Sequence, residues 1–268
     1  MATRTDLEQA FERLGLAGSR AVIHSSLRSF GQMEGGADAV VDAIVNTFDT
    51  AMLPAFTFES NAPPPREDRP PVNGCDYAFY DNWNKPPIPF RVEEAAIDRT
   101  MGAIPRAFAA RGGVVRSSHP WHSWVARGPA AVRLLEPHPW DTTNLPLDRL
   151  AEMGGHVVLI GVGLTSCTAV HTAEEQAGRR PFVRWAWDRD GMVRRVRVAG
   201  CSKGFDALEP FTDGLFREAT VGEARIRVAP LTALLERFAD VIRAQPMVIV
   251  HSDACLRCRD AALGGPPA

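Results

Sequence analysis

Apolar residues recur at intervals of three and four in several stretches of the chain, and short apolar runs lie between these stretches. This pattern predicts helices that alternate with buried strands. The helical spacing covers residues 6–14, the stretch that begins at residue 35, and residues 100–110, 129–136, 145–153, 168–176 and 230–244. The strand pattern covers residues 20–24, 51–58, 156–163 and 246–251. Strands and helices in this order predict an α/β fold.

Two further features refine the predicted strands. Pro54 interrupts the apolar run of residues 51–58, and proline cannot donate a ladder hydrogen bond, so this strand is expected to lie at a sheet edge or to end there. Residues 181–187 and 192–198 alternate around Asp190-Gly191. That spacing predicts a β-hairpin.

Residues 59–99 break the alternation of helices and strands. This segment contains 8 of the 21 prolines, and its aromatic residues argue for a packed loop over a flexible linker. It carries 8 acidic residues against 5 basic ones, a small excess that would suit a cationic substrate. We therefore expect one domain over residues 1–268, with residues 59–99 as a substrate-binding excursion.

The overall composition is that of an ordinary globular protein, with 45% hydrophobic residues and a formal net charge of -2. The near-neutral charge gives no basic patch for nucleic acid or for an anionic membrane. The longest apolar runs are too short to span a bilayer, and the first residues lack the apolar core of a signal peptide. We expect a cytoplasmic protein with neither nucleic acid nor membrane as a partner.

The five cysteines are odd in number and scattered, which argues against a disulfide framework. Cys255 and Cys258 form a C-x-x-C pair near His251, so zinc binding and dithiol redox chemistry are alternatives. A structural zinc site normally needs four ligands at recognisable spacing, which this motif alone does not supply. Reduced thiols are therefore the expected state, and no metal is expected to be required.

The segment H-S-S-L-R-S-F-G-Q-M-E-G-G, residues 24–36, follows a predicted strand and precedes a predicted helix. Backbone N–H groups at such a helix start could bind a phosphate or pyrophosphate. The segment matches neither the Walker P-loop nor G-x-G-x-x-G, so nucleotide binding of those kinds is disfavoured. Taken alone, the segment favours the alternative of a glycine-rich turn.

The segment R-S-S-H-P-W-H-S-W, residues 116–124, places serines next to histidines. A hydrolase could use Ser118 or Ser123 as a nucleophile. No G-x-S-x-G motif is present, and serine and histidine neighbours in sequence rarely form a catalytic triad in space. The favoured alternative is a polar loop in which His119 braces a turn before Pro120.

The segment T-A-V-H-T-A-E-E, residues 168–175, is predicted to open a helix just after a strand. His171 then shares a helix face with Glu174 or Glu175, and an imidazole held by a carboxylate is a suitable general base near neutral pH. The alternative is an ordinary helix start with Thr168 as N-cap and the glutamates favouring the helix dipole. The pattern is neither H-E-x-x-H nor H-x-x-E-H, so the common zinc hydrolases are disfavoured.

Five blocks, in their order along the chain, resemble the aminoglycoside 3-N-acetyltransferase family, also called the antibiotic N-acetyltransferases. The blocks are V-I-H-S-S-L-R-S-F-G with G-G-A-D-A-V-V-D-A-I, M-L-P-A-F-T-F, D-R-T-M-G-A-I-P, R-S-S-H-P-W-H-S-W-V-A-R-G and L-I-G-V-G-L-T-S-C-T-A-V-H-T-A-E-E. They cover residues 21–175, whereas the C-terminal part matches only loosely. The resemblance implies an α/β fold with a mixed central sheet flanked by helices, distinct from the GNAT acetyltransferases. It also implies direct transfer of acetyl from acetyl-CoA, in a ternary complex, to the 3-amino group of 2-deoxystreptamine aminoglycoside antibiotics.

The resemblance also implies roles for individual residues. His171 and Glu174 fall on the family's H-x-x-E motif, as general base and orienting carboxylate. The residues implied to contact acetyl-CoA are His24, Ser25, Ser26, Leu27, Arg28, Gly31, Gly35 and Gly36, with Ser118 and His119 near the pantetheine or acetyl end. The acceptor carries ammonium groups, for which carboxylates are suitable contacts; the candidates are Asp68, Asp76, Asp81, Glu93, Glu94 and Glu175.

One departure from the family pattern concerns the acceptor. The family often has a glutamate soon after its M-G block, where this chain has Arg106. An acyl-CoA-dependent acyltransferase of the same fold, acting on a biosynthetic amine, is therefore an alternative. A non-catalytic CoA- or zinc-binding protein that uses His251, Cys255 and Cys258 is an alternative from a different class. The chain is expected to be a monomer or a homodimer.

Overall fold

The computed structural model describes residues 1–267, and this part of the chain alternates helices with strands as the sequence predicts. The helices are α1 (Arg4–Arg13), α2 (Gly36–Thr47), α3 (Ala78–Asp81), α4 (Ala103–Ala109), α5 (Ala131–Leu135), α6 (Leu145–Glu152), α7 (Ala169–Gln176), α8 (Leu231–Ala244) and α9 (Leu256–Ala262). The strands are β1 (Arg20–Ser25), β2 (Thr50–Pro54), β3 (Val114–Arg116), β4 (Trp124–Arg127), β5 (His156–Ile160), β6 (Phe182–Trp187), β7 (Val193–Val198), β8 (Arg217–Val221) and β9 (Ala224–Pro230).

Seven strands form the central sheet, in the order β3-β4-β2-β1-β5-β9-β8. The three middle strands β2, β1 and β5 are parallel, and the flanking pairs on both sides are antiparallel. The prediction of an α/β fold with a mixed central sheet flanked by helices is confirmed.

The central strands are buried on both faces because alternate side chains enter two different cores. Val22 and Val157 pack with α5 to α8 on one face. Ala21, Ile23 and Val158 pack with α1, α2 and α4 on the other. These strands are consequently continuous apolar runs in the sequence rather than alternating ones.

The strand predictions were right in part. β2 ends at Pro54 and lies between β4 and β1, so the proline marks a strand end and not a sheet edge. Residues 246–251 form turns instead of a strand: the Val248 N–H donates to the Gln245 carbonyl and the Val250 N–H to the Met247 carbonyl. The run is apolar because Ile249 enters the core beside the helices. β3, β4, β8 and β9 were not predicted.

The predicted hairpin is confirmed as β6 and β7, which pair antiparallel from Phe182↔Val198 to Trp187↔Val193. The carboxylate of Asp188 accepts hydrogen bonds from the backbone N–H groups of Asp190 and Met192. This carboxylate fixes the turn, and the hairpin forms a separate two-stranded sheet beside the main one.

The excursion of residues 59–99 packs along this hairpin. The Ala62 N–H donates to the Trp185 carbonyl, and the Phe90 N–H donates to the Trp187 carbonyl. The buried Asn73 side chain donates to the Val183 carbonyl and accepts from the Val183 N–H. The assignment of one domain with a substrate-binding excursion stays a prediction.

Within residues 1–267, no helix combines the length and the apolar character needed to cross a bilayer.

Helix α8 supplies a test of the core on its face of the sheet. Phe238 is fully buried in that core, whereas Glu236 is exposed on the same helix. Phe238→Ala is expected to lower the free energy of unfolding by about 3–5 kcal/mol, because it removes buried apolar surface and leaves a cavity. Urea unfolding measures the change, with Glu236→Ala as the control. A loss no larger than that of the control would contradict this packing.

Candidate active site

The site lies at the carboxyl ends of two neighbouring parallel strands. β1 and β5 pair in register up to Ser25↔Ile160. After β5 the chain turns through a 3₁₀ segment, Leu164–Ser166, into α7. The residues that follow β1 and the start of α7 therefore meet at one edge of the sheet, where open α/β sheets place their ligands.

His171, Glu174 and Arg179 form a buried chain of polar contacts. The His171 Nδ1 lies 2.7 Å from the Glu174 Oε2, and the Arg179 Nη1 donates to the Glu174 Oε1 at 2.6 Å. All three side chains are at most 10% exposed. The arginine neutralises a carboxylate that would be costly to bury alone.

This arrangement orients the imidazole. With Nδ1–H donating to the carboxylate, Nε2 is the ring nitrogen that can accept a proton. The Phe205 ring packs edge-on against the imidazole, with the ring centroids 4.7 Å apart. The alternative of an ordinary capped helix start is not supported, because Thr168 has helical backbone angles and its side chain makes no capping hydrogen bond.

His171 faces a cavity of about 370 Å³. That volume is in the range of small-molecule sites. Its walls combine aromatic rings, hydroxyl groups, histidines and one arginine. The lining residues are His24, Ser25, Pro54, Phe56, Phe58, Thr100, Met101, Pro105, Trp121, His122, Val162, Thr165, Ser166, Cys167, Thr168, His171, Val198, Ala199, Gly200, Ser202 and Arg257.

Four polar atoms in this lining are buried and lack a hydrogen-bond partner in the described part of the chain: the His24 Nε2, the Ser25 Oγ, the Trp121 Nε1 and the His122 Nδ1. Burial lowers the pKa of His24 to about 4, so its imidazole is neutral near pH 7. Buried polar atoms are costly when they are unpaired. A polar group of a bound ligand would satisfy them.

The other residues implied to contact acetyl-CoA lie in the turn that follows β1. Leu27 and Arg28 belong to a 3₁₀ segment, and Gly31 and Gly35 have positive φ. The Ser26 N–H donates to the Ile160 carbonyl, which joins the turn to β5. Among residues 24–36 as described, only His24 and Ser25 line the 370 Å³ cavity; Ser26, Leu27, Arg28, Gly31, Gly35 and Gly36 do not.

The loop of residues 116–124 behaves as the polar-loop alternative predicts. The His119 Nδ1 accepts from the backbone N–H groups of Trp121 and His122, and so braces the turn. His119 is fully buried outside the 370 Å³ cavity, and Ser118 lines a different cavity. Across residues 1–267, no hydrogen bond joins Ser118 or Ser123 to a histidine ring, which leaves the serine-nucleophile idea without support.

Sequence reasoning missed two important residues of the site. His122 lines the cavity, and burial together with the nearby His171 lowers its pKa to about 3. Arg179, the partner of Glu174, follows the end of α7. His122 belongs to the segment of residues 116–124, whereas Arg179 lies between the predicted helix and the predicted hairpin. The sequence carried no signal for which histidine faces inward or which arginine reaches Glu174.

The acidic residues of the excursion are mostly engaged with arginines or backbone. Asp68 accepts from Arg195 and from the Trp185 Nε1, Asp81 pairs with Arg69, and Glu93 pairs with Arg189. Asp76 accepts from the Ala78 N–H, whereas Glu94 is exposed. In the described residues none of Asp68, Asp76, Asp81, Glu93 and Glu94 lines the cavity that contains His171.

Glu175, the sixth predicted acceptor contact, is also absent from the lining of the 370 Å³ cavity, but it lies close to the His171–Glu174 pair. It lies beside His171 and Glu174 in a small gap, and it also lines a neighbouring cavity of about 320 Å³ with Asp141 and Asp148. Burial, with repulsion from Asp148 and Glu174, raises the pKa of Glu175 to about 8. Burial raises the pKa of Asp148 to about 6.

A histidine held by a buried carboxylate, facing a ligand cavity at the carboxyl ends of parallel strands, defines an enzyme site suited to proton transfer. The chain matches the family described as "Aminoglycoside 3-N-acetyltransferase" over residues 22–243. It is 34% identical over 268 residues to aminoglycoside N(3)-acetyltransferase VIII of Streptomyces fradiae, with 90% of this chain and 89% of that protein covered. The chain belongs to the aminoglycoside 3-N-acetyltransferase family, which is a class of enzymes, and the resemblance of its sequence blocks is confirmed.

Solved structures share the fold. The apoenzyme of aminoglycoside acetyltransferase AAC(3)-IVa has a TM-score of 0.79 at 21% identity, with 98% of each chain covered. A mutant of the same acetyltransferase, solved in complex with gentamicin, has a TM-score of 0.77 at 22% identity, with 98% of this chain and 97% of that chain covered. AAC-IIIb, solved as a binary complex with CoASH, has a TM-score of 0.72 at 23% identity, with 91% of this chain and 97% of that chain covered.

The raised pKa of Glu175 predicts a pH-dependent stability. Between its ordinary pKa of 4.5 and the folded value of about 8, the native state retains a proton that the unfolded chain has released. Stability therefore falls as the pH rises through this window. Glu175→Gln is expected to lose less stability over this range. Its free energy of unfolding, relative to that of the wild type, should therefore increase from pH 5 to pH 8.

Urea midpoints of both proteins across this pH range measure the effect. Glu236→Gln, at an exposed position of α8, is the control. If the urea midpoint falls equally from pH 5 to pH 8 in the wild type and in Glu175→Gln, the carboxyl of Glu175 is already ionised in the native state.

Proposed function

We propose that this chain is an acetyl-CoA-dependent N-acetyltransferase that acetylates the 3-amino group of 2-deoxystreptamine aminoglycosides by direct transfer in a ternary complex, with His171 as general base. The observation that carries the proposal is the buried His171–Glu174 pair facing the cavity. The names of the relatives and the CoASH and gentamicin complexes of the neighbours support the donor and the acceptor class.

The proton is the central problem of this reaction. An ammonium group has no lone pair, so the acceptor amine must be deprotonated to attack a thioester. The ammonium proton is first lost to solvent. As the neutral amine forms the nitrogen–carbon bond and the carbon–sulfur bond breaks, the His171 Nε2 takes a second proton from that nitrogen, and the CoA sulfur leaves as a thiolate that the imidazolium can protonate. Glu174 stabilises the imidazolium in between, as a carboxylate does for a histidine base in other enzymes.

The polar groups of the cavity suit the donor. The His24 Nε2 and the Ser25 Oγ offer buried unpaired polar atoms, and Arg257 is a cation in the same lining. Acetyl-CoA carries amide groups along its pantetheine arm and phosphates at its other end. Hydroxyls and a neutral imidazole suit the amides, whereas a guanidinium suits a phosphate.

Glu175 and Asp148 support an acceptor that carries ammonium groups. Both carboxyls have raised pKa values because they are buried close to other acidic groups. An ammonium group placed between them would favour their ionised forms and relieve the repulsion. Arg106, which motivated a different amine acceptor, lies exposed on α4 and does not line the described cavity.

Direct transfer is favoured over a covalent acyl-enzyme by the state of Cys167. This residue lines the cavity, but burial raises the pKa of its thiol to about 12. The thiolate is the nucleophilic form of cysteine, so a thiol that stays protonated near pH 7 is a poor acyl carrier. The attack by the acceptor amine on acetyl-CoA needs no such carrier.

Replacement of the base is the main test. His171→Ala is expected to lower kcat for aminoglycoside acetylation by about 10²–10⁴-fold, because it removes the proton acceptor. CoA thiol release against an aminoglycoside panel and simple amines measures turnover, and mass spectrometry with NMR locates the acetyl group. CoA binding by calorimetry should persist.

His156→Ala, at the opposite end of β5, is the matched control for this substitution. Near-native turnover of His171→Ala would remove His171 as the base. Acetylation of simple amines but of no aminoglycoside would favour the biosynthetic alternative.

A kinetic experiment tests whether the acetyl group is transferred directly or through an acyl-enzyme. With both substrates varied, double-reciprocal plots are expected to intersect, and Cys167→Ala is expected to retain most of its turnover. Parallel plots, or radiolabelled acetyl that remains on the denatured wild-type protein, would contradict direct transfer. Thermal unfolding of Cys167→Ala controls for loss of folded protein, because the side chain is buried.

A further inference from the structure

We propose that Cys201, His251, Cys255 and Cys258, called here the Cys₃His cluster, bind one structural zinc ion. The function proposed above uses none of these side chains. The cluster unites the C-x-x-C pair and its neighbouring histidine with a cysteine from a distant part of the chain.

The geometry of the cluster suits tetrahedral coordination. One ligand atom from each residue lies within 4.8 Å of all the others. The His251 Nδ1 is 3.7 Å from the Cys201 Sγ and 3.0 Å from the Cys258 Sγ. Zinc–sulfur bonds of about 2.3 Å and zinc–nitrogen bonds of about 2.1 Å place tetrahedral ligands about 3.6–3.8 Å apart, so small side-chain shifts would complete the site.

The three thiolates and one imidazole determine which metal the cluster suits and whether that metal is structural or catalytic. Thiolates and imidazole bind zinc well, whereas calcium and magnesium prefer oxygen ligands. Four protein ligands leave no open position for a water or a substrate. The cluster is therefore suited to a structural ion and not to a catalytic one.

The position of the cluster explains what such an ion would stabilise. Cys201 lies between Gly200 and Ser202, which both line the 370 Å³ cavity, and Arg257 of the same cavity lies between Cys255 and Cys258. The ion would thus join two segments of one cavity wall. Both segments are irregular at this point, since Cys201 follows β7 and the C-x-x-C pair precedes and opens the short helix α9.

Helix α9 needs a stabilising contact of this kind at its first turn. Its seven residues are too few for an isolated helix to be stable in water. At its other end the Asp260 carboxylate accepts the backbone N–H groups of Asn73 and Gly74 in the excursion. A zinc ion at its first turn would fix the end nearer the cavity.

The test measures metal in the full-length chain, purified without a histidine tag from cells supplied with zinc. Elemental analysis by mass spectrometry is expected to find about one zinc ion per chain. Cys201→Ser and Cys258→Ser are each expected to lose most of this metal. Cys75→Ser is the matched control and is expected to retain it, because Cys75 lies outside the cluster.

Two further measurements separate a site from loosely bound metal. A mercurial thiol reagent should release the zinc in step with modification of the cluster thiols, as followed with a chromogenic chelator. Removal of the zinc should lower the Tm of the wild type, because a ligand bound only to the folded state stabilises it. The two cluster variants should show a lowered Tm that added zinc does not restore.

Three results would overturn the proposal. These are wild-type protein without zinc after growth in zinc, zinc content unchanged in both Cys201→Ser and Cys258→Ser, and a disulfide between two cluster cysteines in the freshly purified protein. Alkylation of the denatured protein without reductant, followed by intact mass, detects the disulfide.

Discussion

The carboxylate of Glu174 is the interaction on which the site depends. A buried carboxylate without partners is strongly disfavoured, so its two oxygens need the contacts to His171 and Arg179 that they make. The arginine also donates to the carbonyl of Pro246, just after α8, and α7 and α8 share one apolar core on the same face of the sheet. The imidazole is thus placed by a large core and oriented by one carboxylate.

The local part of this site could be predicted from the sequence, and the non-local part could not. His171 and Glu174 are three residues apart on one helix, so helical geometry alone brings them together. His24 and Ser25 lie at the end of a strand that the apolar run of residues 20–24 predicts. Arg179 becomes the partner of Glu174, and Cys201 the neighbour of His251, only through the tertiary fold. A pattern within one window contains no such information.

The acidic excursion of residues 59–99 also shows that a pattern within one segment does not predict tertiary contacts. Its composition suggests a cationic ligand, but Arg195 of β7 and Arg189 of the hairpin turn pair with Asp68 and Glu93 first. The sequence pattern around these arginines indicates only an alternating hairpin. A charge excess in one segment predicts a ligand only when no complementary segment of the same chain packs on it, and that pairing is a property of the tertiary fold.

The hairpin of β6 and β7 connects these regions into one structural unit. The buried Arg184 of β6 donates to the carbonyls of Asn73 and Gly74 in the excursion. β7 ends at Val198, and the next two residues, Ala199 and Gly200, form part of the cavity wall. β6 and β7 are hydrogen-bonded to each other along their length, so the contacts of the excursion and this part of the cavity wall belong to one hairpin. The hairpin therefore joins the excursion to the cavity, even though the carboxylates predicted there as acceptor contacts do not line that cavity in the described part of the chain.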